Sequence, residues 1–240
     1  MLLELDDVTK RFGGLVASDS VSFNVNKGEI VGLIGPNGAG KSTIFNVICG
    51  IYKPEKGRIL FKEEDITGKL PHEICKLGIG RTFQIVKPFS SMTVAQNVGV
   101  ASFFGLGLRG KRIDEGVKEL LEFTGLWQKR DHNIDHLTLE DKKRLEICRA
   151  LAVGPTLLLL DEAMAGLTSV EVKAGMDLIR KVRERGITVL MIEHVMQAVM
   201  GVCERIVVLS YGKKIAEGSP EEVRTHARVL DAYLGTEEVV

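Results

Sequence analysis

A glycine-rich loop between a buried strand and a helix is the feature that most constrains how this 240-residue chain can fold. The apolar run Ile30–Ile34 leads into a nine-residue segment, after which the pattern becomes helical. The segment reads Gly35-Pro36-Asn37-Gly38-Ala39-Gly40-Lys41-Ser42-Thr43. Its spacing lets backbone N–H groups close around a phosphate, while the following helix presents its positive N-terminus. Lys41 supplies a point charge, and Ser42 places a hydroxyl where Mg²⁺ would lie between two phosphates. The loop therefore predicts binding of a nucleoside triphosphate.

The charge balance limits the partners that the chain can have. Lysine plus arginine total 32, against 32 aspartates plus glutamates, so the formal net charge is zero. This balance argues against a general polyanion binder, and we expect no nucleic-acid partner.

Cysteine spacing and hydropathy bear on the compartment. The four cysteines lie far apart without a C-x-x-C pair and predict reduced, mostly buried thiols. They are Cys49, Cys75, Cys148 and Cys203. Acids occupy the first residues where a signal peptide would carry bases, and no apolar run approaches the roughly 20 residues that cross a bilayer. We therefore expect any membrane role to come through a partner.

The residue pattern changes three times along the chain. Residues 1–34 predict strands, including 2–5 and 21–25, and residues from about 90 to 152 predict helices. From 157 to 216, short apolar runs alternate with helical segments and end in a hairpin. Strands separated by helical segments of this length predict a parallel sheet built from β-α-β units.

A second phosphate-associated motif follows the four leucines at 157–160. These leucines predict a strand buried on both faces, with Asp161 and Glu162 at its carboxyl end beside the glycine-rich loop. Asp161 would hold Mg²⁺, and Glu162 would polarise the attacking water as general base. Asp161 follows Lys41 by 120 positions, so a large insertion separates the two motifs.

Four further motifs accompany the glycine-rich loop and the Asp161-Glu162 pair along the chain. They are Phe12, the run Arg81-Thr82-Phe83-Gln84, the run Ala165-Gly166-Leu167-Thr168, and Ile192-Glu193-His194 at the end of a strand. In this combination the chain resembles an ABC-type ATPase, the nucleotide-binding subunit of an ATP-driven transporter, and the resemblance covers essentially all of its residues.

The resemblance implies a fold and a division of the chain. The fold would be α/β, a P-loop ATPase core with a mixed sheet whose centre is parallel, joined to a helical subdomain and an N-terminal antiparallel β subdomain. Residues 1–240 would form one ABC ATPase domain. Within it, 1–84 and 153–240 would form the RecA-like core with its β subdomain, and 85–152 the helical signature subdomain.

The resemblance also implies residue roles toward ATP and Mg²⁺. Phe12 would stack on adenine. Gln84 would contact Mg²⁺ and sense the γ-phosphate, and His194 would hydrogen-bond that phosphate as a switch.

One motif departs from the family pattern. The signature, usually Leu-Ser-Gly-Gly-Gln, falls at residues 137–141, where Thr138 alone keeps a hydroxyl able to approach a γ-phosphate. Both glycines are gone, so the backbone cannot come as close to a nucleotide. Glu140 adds a carboxylate that is unfavourable near an anion unless it turns away or meets a cation. Ala163 replaces a usual proline.

The run from Gly78 to Gln84, the Arg144-Leu145-Glu146-Ile147 segment and the residues 229–235 are similar to branched-chain amino acid importers. The resemblance implies permease subunits, a second ATPase subunit (identical or different) facing this one head to tail, and a periplasmic or extracellular substrate-binding protein as an indirect partner. The chain would lie at the cytoplasmic face of the inner membrane, peripheral through the permease.

Three alternatives stay open. They are an ATPase of the lipopolysaccharide-export type, a soluble ABC protein outside transport, and a regulatory nucleotide-binding module that no longer hydrolyses. A soluble ABC protein usually carries two cassettes or a long coiled-coil insertion, and this chain has neither. The presence of Glu162, His194 and Gln84 disfavours the regulatory module.

Overall fold

The computed structural model describes residues 1–84 and 87–234. The strands in this part of the chain are β1 (Leu3–Phe12), β2 (Leu15–Val25), β3 (Ile30–Ile34), β4 (Lys56–Phe61), β5 (Glu64–Asp65), β6 (Ile79–Arg81), β7 (Leu157–Asp161), β8 (Thr188–Ile192), β9 (Arg205–Ser210) and β10 (Lys213–Gly218). The α-helices are α1 (Lys41–Ile48), α2 (Pro71–Leu77), α3 (Val94–Leu106), α4 (Lys111–Phe123), α5 (Leu139–Leu151), α6 (Ser169–Glu184), α7 (Met196–Val202), α8 (Pro220–Thr225) and α9 (Ala227–Leu234).

Two sheets organise these strands. The larger has the order β10-β9-β3-β8-β7-β6, in which the last five strands are parallel and β10 closes a hairpin with β9. The smaller is antiparallel, with the order β2-β1-β4-β5. The predicted parallel core, its helical crossovers and the terminal hairpin are confirmed, and the mixed α/β class follows.

The central strands are buried on both faces. Every residue of β3, β7 and β8 is buried, and alternate residues belong to two different apolar clusters. On one face, Leu33 and Leu159 pack in a cluster that also contains α1 and the antiparallel sheet. On the other face, Ile34 and Leu160 pack against α6 and α7. This double coverage explains why these strands are continuous apolar runs rather than alternating ones.

The helices α3, α4 and α5 form a third apolar cluster, which includes Val94, Leu121 and Leu145. Helix α5 also contributes Ile147 and Leu151 to the cluster on the sheet, so it joins this layer to the core. This separate cluster supports the predicted division of the chain into a core and a helical subdomain of residues 85–152, which stays a proposal.

The N-terminal strands are longer than predicted. β1 and β2 continue through Asp6, Asp7 and Ser20 because pairing across the sheet resumes on both sides of these residues. Asp7 and Ser20 take positive φ angles, and the register shifts there. Tertiary pairing therefore extends strands beyond their apolar ends.

The cysteines are all free, and three of them are buried. Burial raises the pKa of Cys49 to about 11 and the pKa values of Cys148 and Cys203 to about 12. Within residues 1–84 and 87–234, no helix is both long and apolar enough to cross a membrane.

Candidate functional site

The glycine-rich loop joins the carboxyl end of β3 to the first residue of α1. Gly35 has φ 150° and Gly40 has φ 98°. A Cβ at Gly35 would lie 2.1 Å from the carbonyl oxygen of Leu209, and one at Gly40 would lie 2.2 Å from that of Ala17. Only glycine fits at these two positions, because both the backbone angle and the neighbouring carbonyls exclude a side chain.

Lys41 is the first residue of α1, and its side chain folds back over the loop. Its Nζ donates hydrogen bonds to the carbonyl oxygens of Gly35 at 2.7 Å and Pro36 at 2.9 Å. Burial lowers the pKa of Lys41, while the nearby carboxylates of Glu162 and Asp161 act in the opposite direction. The ammonium is therefore held at the loop, next to the N-terminus of α1, where phosphate oxygens would bind.

Asp161 ends β7 and is buried. Its Oδ2 accepts a hydrogen bond from the Arg81 guanidinium at 2.9 Å, and its backbone N–H donates to Thr82 at 3.0 Å. Its Oδ1 is buried and has no hydrogen-bond partner among the residues that the structure describes. The hydroxyl of Ser42, the amide oxygen of Gln84 and this unpaired carboxylate oxygen are hard donors of the kind that Mg²⁺ prefers. The donor set therefore fits magnesium.

The carboxylate of Glu162 contacts both of the other predicted catalytic side chains. Its Oε2 accepts from Gln84 Nε2 at 2.9 Å, and its Oε1 lies 3.3 Å from His194 Nε2. Glu162 has φ 50°, a strained backbone angle for a residue with a side chain. Its N–H donates to the carbonyl of Ile192, which lies on β8 beside β7. Neighbouring parallel strands thus place Glu162 and His194 together.

One open cleft of about 480 Å³ collects most of the predicted site residues. Its wall is lined by Phe12, Leu15, Asn37, Gly38, Ala39, Gly40, Lys41, Ser42, Thr43, Gln84, Glu162, His194 and Tyr211, among others. Phe12 is 41% exposed and meets Tyr52 edge to face, with ring centroids 5.0 Å apart. An exposed aromatic ring at the mouth of such a cleft can receive a nucleotide base, which remains a prediction for Phe12.

Thr138 lies outside this cleft, at the N-terminus of α5. Its hydroxyl donates to Asp141 Oδ2 at 2.9 Å and accepts from the Asp141 N–H at 3.2 Å. The hydroxyl therefore caps the helix in the manner of a capping box. Glu140 meets a cation, because its carboxylate accepts from Arg144 Nε at 2.9 Å one turn along the same helix.

Sequence reasoning gave no role to three charged residues that hold the site, of which Lys143 and Glu193 are buried and Arg81 is nearly so. Arg81 pairs with Asp161, Lys143 Nζ donates to the Glu162 carbonyl at 2.7 Å, and Glu193 Oε1 accepts from the Met164 N–H at 2.8 Å. A charged residue within a strand or on a buried helix face is the signal that could have found them.

The comparisons with known proteins place these features in a family. The sequence model described as "ABC transporter" matches residues 18–165, and the one described as "Branched-chain amino acid ATP-binding cassette transporter" matches residues 213–239.

Full-length relatives agree with the family models. The chain is 40% identical to the high-affinity branched-chain amino acid transport ATP-binding protein LivG of Salmonella typhimurium, with 98% of both chains covered. It is 38% identical to the transport protein BraF of Pseudomonas aeruginosa, again over 98% of both chains. It is also 38% identical to the lipopolysaccharide export system protein LptB of Acidithiobacillus ferridurans, over 98% of this chain and 97% of that one.

The fold is similar to solved cassettes. The ADP conformation of an ATP-binding cassette of an ABC transporter superposes with a TM-score of 0.90 at 33% identity, covering 98% of both chains. A nucleotide-free cassette gives a TM-score of 0.89 at 33% identity, covering 98% of this chain and 99% of that one. The chain belongs to the ABC transporter family, and it is an ATP-binding and ATP-hydrolysing subunit of such a transporter.

Proposed function

We propose that this chain hydrolyses MgATP to drive uptake of branched-chain amino acids through a membrane permease. The convergence of Lys41, Gln84, Glu162 and His194 on one cleft is the observation that carries the hydrolytic part. The importer assignment is supported by the match at residues 213–239 and by the relatives LivG and BraF. Cargo identity rests on family membership, because an ATPase subunit does not contact the cargo.

We infer the role of each residue from its position in the cleft. The loop from Gly35 to Thr43 and the N-terminus of α1 would bind the phosphates, with Lys41 moving from its loop carbonyls to the phosphate oxygens. Phe12 would stack on the base. These contacts orient the nucleotide so that its terminal phosphate faces Glu162.

Glu162 would accept a proton from the attacking water. Its carboxylate stands between Gln84 and His194, and both side chains can turn toward the terminal phosphate when the substrate arrives. Ser42, Asp161 and Gln84 would hold Mg²⁺, which neutralises charge on the phosphates when bound. Lys143, on α5, donates a hydrogen bond to the backbone carbonyl of Glu162. This bond connects the helical layer to the residue that carries the catalytic carboxylate.

A permease segment has a place to dock. A groove of about 270 Å³ lies where α2 and β6 face α3 and α5, lined by apolar side chains such as Ile51, Ile74 and Phe83. Phe89 and Phe104 line an adjoining pocket of about 430 Å³. We infer that this groove receives a short helix of the permease, which places the chain at the cytoplasmic face of the inner membrane.

A second ATPase subunit would face this one head to tail. In that arrangement Thr138 approaches the partner's nucleotide, although its hydroxyl is engaged by Asp141 in this structure. A substrate-binding protein outside the membrane would act indirectly through the permease.

Reconstitution tests the proposal. The chain is co-expressed with candidate permease chains, a second ATPase and a substrate-binding protein, and phosphate release is measured in proteoliposomes. Stimulation by leucine, isoleucine or valine together with the binding protein supports amino acid uptake. ATPase activity that responds to lipopolysaccharide instead would favour export, the alternative that the likeness to LptB supports.

A further inference from the structure

Arg81 occupies an unusual position for a cation, at the carboxyl end of a strand inside the fold. Only 9% of its side chain is exposed, and only 4% of that of its partner Asp161. The two terminal nitrogens of its guanidinium take different acceptors, Asp161 Oδ2 at 2.9 Å and Asn46 Oδ1 at 2.7 Å. The planar fork of an arginine can span two acceptors in this way, whereas a lysine ammonium acts as a point charge.

Two aromatic rings fix the same guanidinium. Its central carbon lies 5.7 Å from the ring centroid of Phe45 and 5.1 Å from that of Phe83. Phe45 and Asn46 belong to α1, the helix that follows the phosphate loop, and Phe83 immediately precedes Gln84. Arg81 therefore contacts the loop's helix, the strand that ends in Asp161 and the segment that carries Gln84.

The ion pair with Arg81 engages only one of the two carboxylate oxygens of Asp161. Oδ2 is occupied by Arg81, and Oδ1 is buried without a hydrogen-bond partner in the described part of the chain. A buried carboxylate held by one oxygen cannot rotate freely, so the other oxygen keeps a fixed direction. Side chains that orient a metal ligand in this manner are part of many metal sites.

We propose that Arg81 is a positioning residue for magnesium. It holds Asp161 through Oδ2, presents Oδ1 to the cation of MgATP, and links this carboxylate to Gln84, the other proposed magnesium contact. The inference rests on the proposed role of Asp161 and adds to it the residue that sets the geometry of that ligand.

Magnesium-linked nucleotide binding tests this role without measuring turnover. Affinity for a fluorescent ATP analogue is measured on the full-length chain in EDTA and across a Mg²⁺ titration. Arg81→Lys keeps the charge but loses the fork, and we expect the apparent Mg²⁺ affinity to fall about 10–100-fold while affinity in EDTA is unchanged. Asn46→Ala keeps Arg81 and removes one of its acceptors, so we expect a smaller loss in the same direction.

Arg205→Lys is the matched control. Arg205 is also a forked, largely buried arginine, paired with Glu29 at 2.8 Å, but it lies at the amino ends of β3 and β9, opposite the phosphate loop. We expect this variant to keep the wild-type Mg²⁺ dependence. Thermal unfolding checks each variant, and Asn46→Ala decides the matter if Arg81→Lys does not fold.

Two results would overturn the inference alone. One is wild-type Mg²⁺ affinity in both site variants, and the other is an equal loss of affinity with and without Mg²⁺, which indicates a general defect of the cleft. If the wild-type chain binds nucleotide without any Mg²⁺ effect, the magnesium role of Asp161 fails as well.

Discussion

Glu162→Gln is the perturbation that tests the proposed chemistry most directly. The amide has nearly the shape of the carboxylate, and its oxygen can still accept from Gln84 Nε2, now at 2.9 Å. The imidazole of His194, 3.3 Å away, can accept a hydrogen bond from the new NH₂ group through an unprotonated nitrogen. The backbone bond from Lys143 to the carbonyl of residue 162 is untouched. The change therefore removes proton acceptance and one negative charge near Lys41, while it keeps the contacts of the side chain.

The expected size of the effect follows from the loss of proton acceptance. A general base contributes about 10²–10⁴ in rate. This corresponds to about 2.7–5.4 kcal/mol of transition-state free energy, at about 1.36 kcal/mol for each factor of ten. Nucleotide affinity should change little, since Lys41 and the loop are intact. The assays are steady-state phosphate release by the assembled complex and titration with a fluorescent ATP analogue.

Glu171→Gln is the control for this experiment. Glu171 closes the capping box at the N-terminus of α6, and glutamine serves the same function there. We expect wild-type turnover from this variant. Near-normal ATPase activity of Glu162→Gln in the assembled complex would refute the assignment of the general base.

Four further predictions use other parts of the molecule. Lys41→Ala should weaken binding of the fluorescent nucleotide at least about tenfold, because a hydrogen bond to a charged group contributes about 1.5–3 kcal/mol; unchanged affinity would remove Lys41 from the site. Phe12→Ala should weaken the same binding by about 1–3 kcal/mol, the scale of a base stacked on an aromatic ring, and equal affinity would exclude stacking. Placing Ser-Gly-Gly-Gln at residues 138–141 should raise ATPase activity of the isolated chain severalfold if the altered signature makes a weak site; high activity in the unmodified chain would contradict this. Burial raises the pKa of Glu193 above its ordinary value of 4.5, so its contribution to stability is complete below that pH and is lost as pH rises through the folded-state pKa. Urea unfolding should therefore show Glu193→Gln gaining stability relative to wild type as pH rises above 4.5, and parallel pH curves would count against this explanation.

The sequence predicted the parts of the site that depend on local pattern. The loop after β3 is set by its glycines and lysine, and Asp161 and Glu162 follow a run of four leucines that predicts a strand buried on both faces. The role of His194 came from the family resemblance, and its contact with Glu162 was not predicted; the structure brings the two together because parallel strands end at one edge of a sheet. The register that pairs Asp161 on β7 with Ile192 on β8 is the physical basis of that contact.

Other contacts had no local signal. Arg81 and Asp161 are 80 positions apart and meet only because β6 lies beside β7. The strand β6 has three residues, too few for a periodic pattern. The hydrogen bond from Thr138 to Asp141 shows a different limit of sequence-based prediction. A hydroxyl at the start of a helix can either cap that helix or contact a ligand, and the sequence does not distinguish the two roles.

The close approach of Ala17 and Leu209 to the phosphate loop joins the two sheets of the molecule at that point. Ala17 belongs to β2 in the antiparallel sheet, and Leu209 belongs to β9 in the parallel one. The turn after β9 extends this seam, the line of contacts between the two sheets at the phosphate loop. The Asp19 N–H donates to the Gly212 carbonyl at 2.8 Å, and the Gly212 N–H donates to the Ala39 carbonyl. A sliding movement of one sheet against the other would distort the phosphate loop. A loop that holds a nucleotide phosphate would therefore resist this movement. Substitutions along this seam can therefore alter nucleotide affinity without touching the nucleotide.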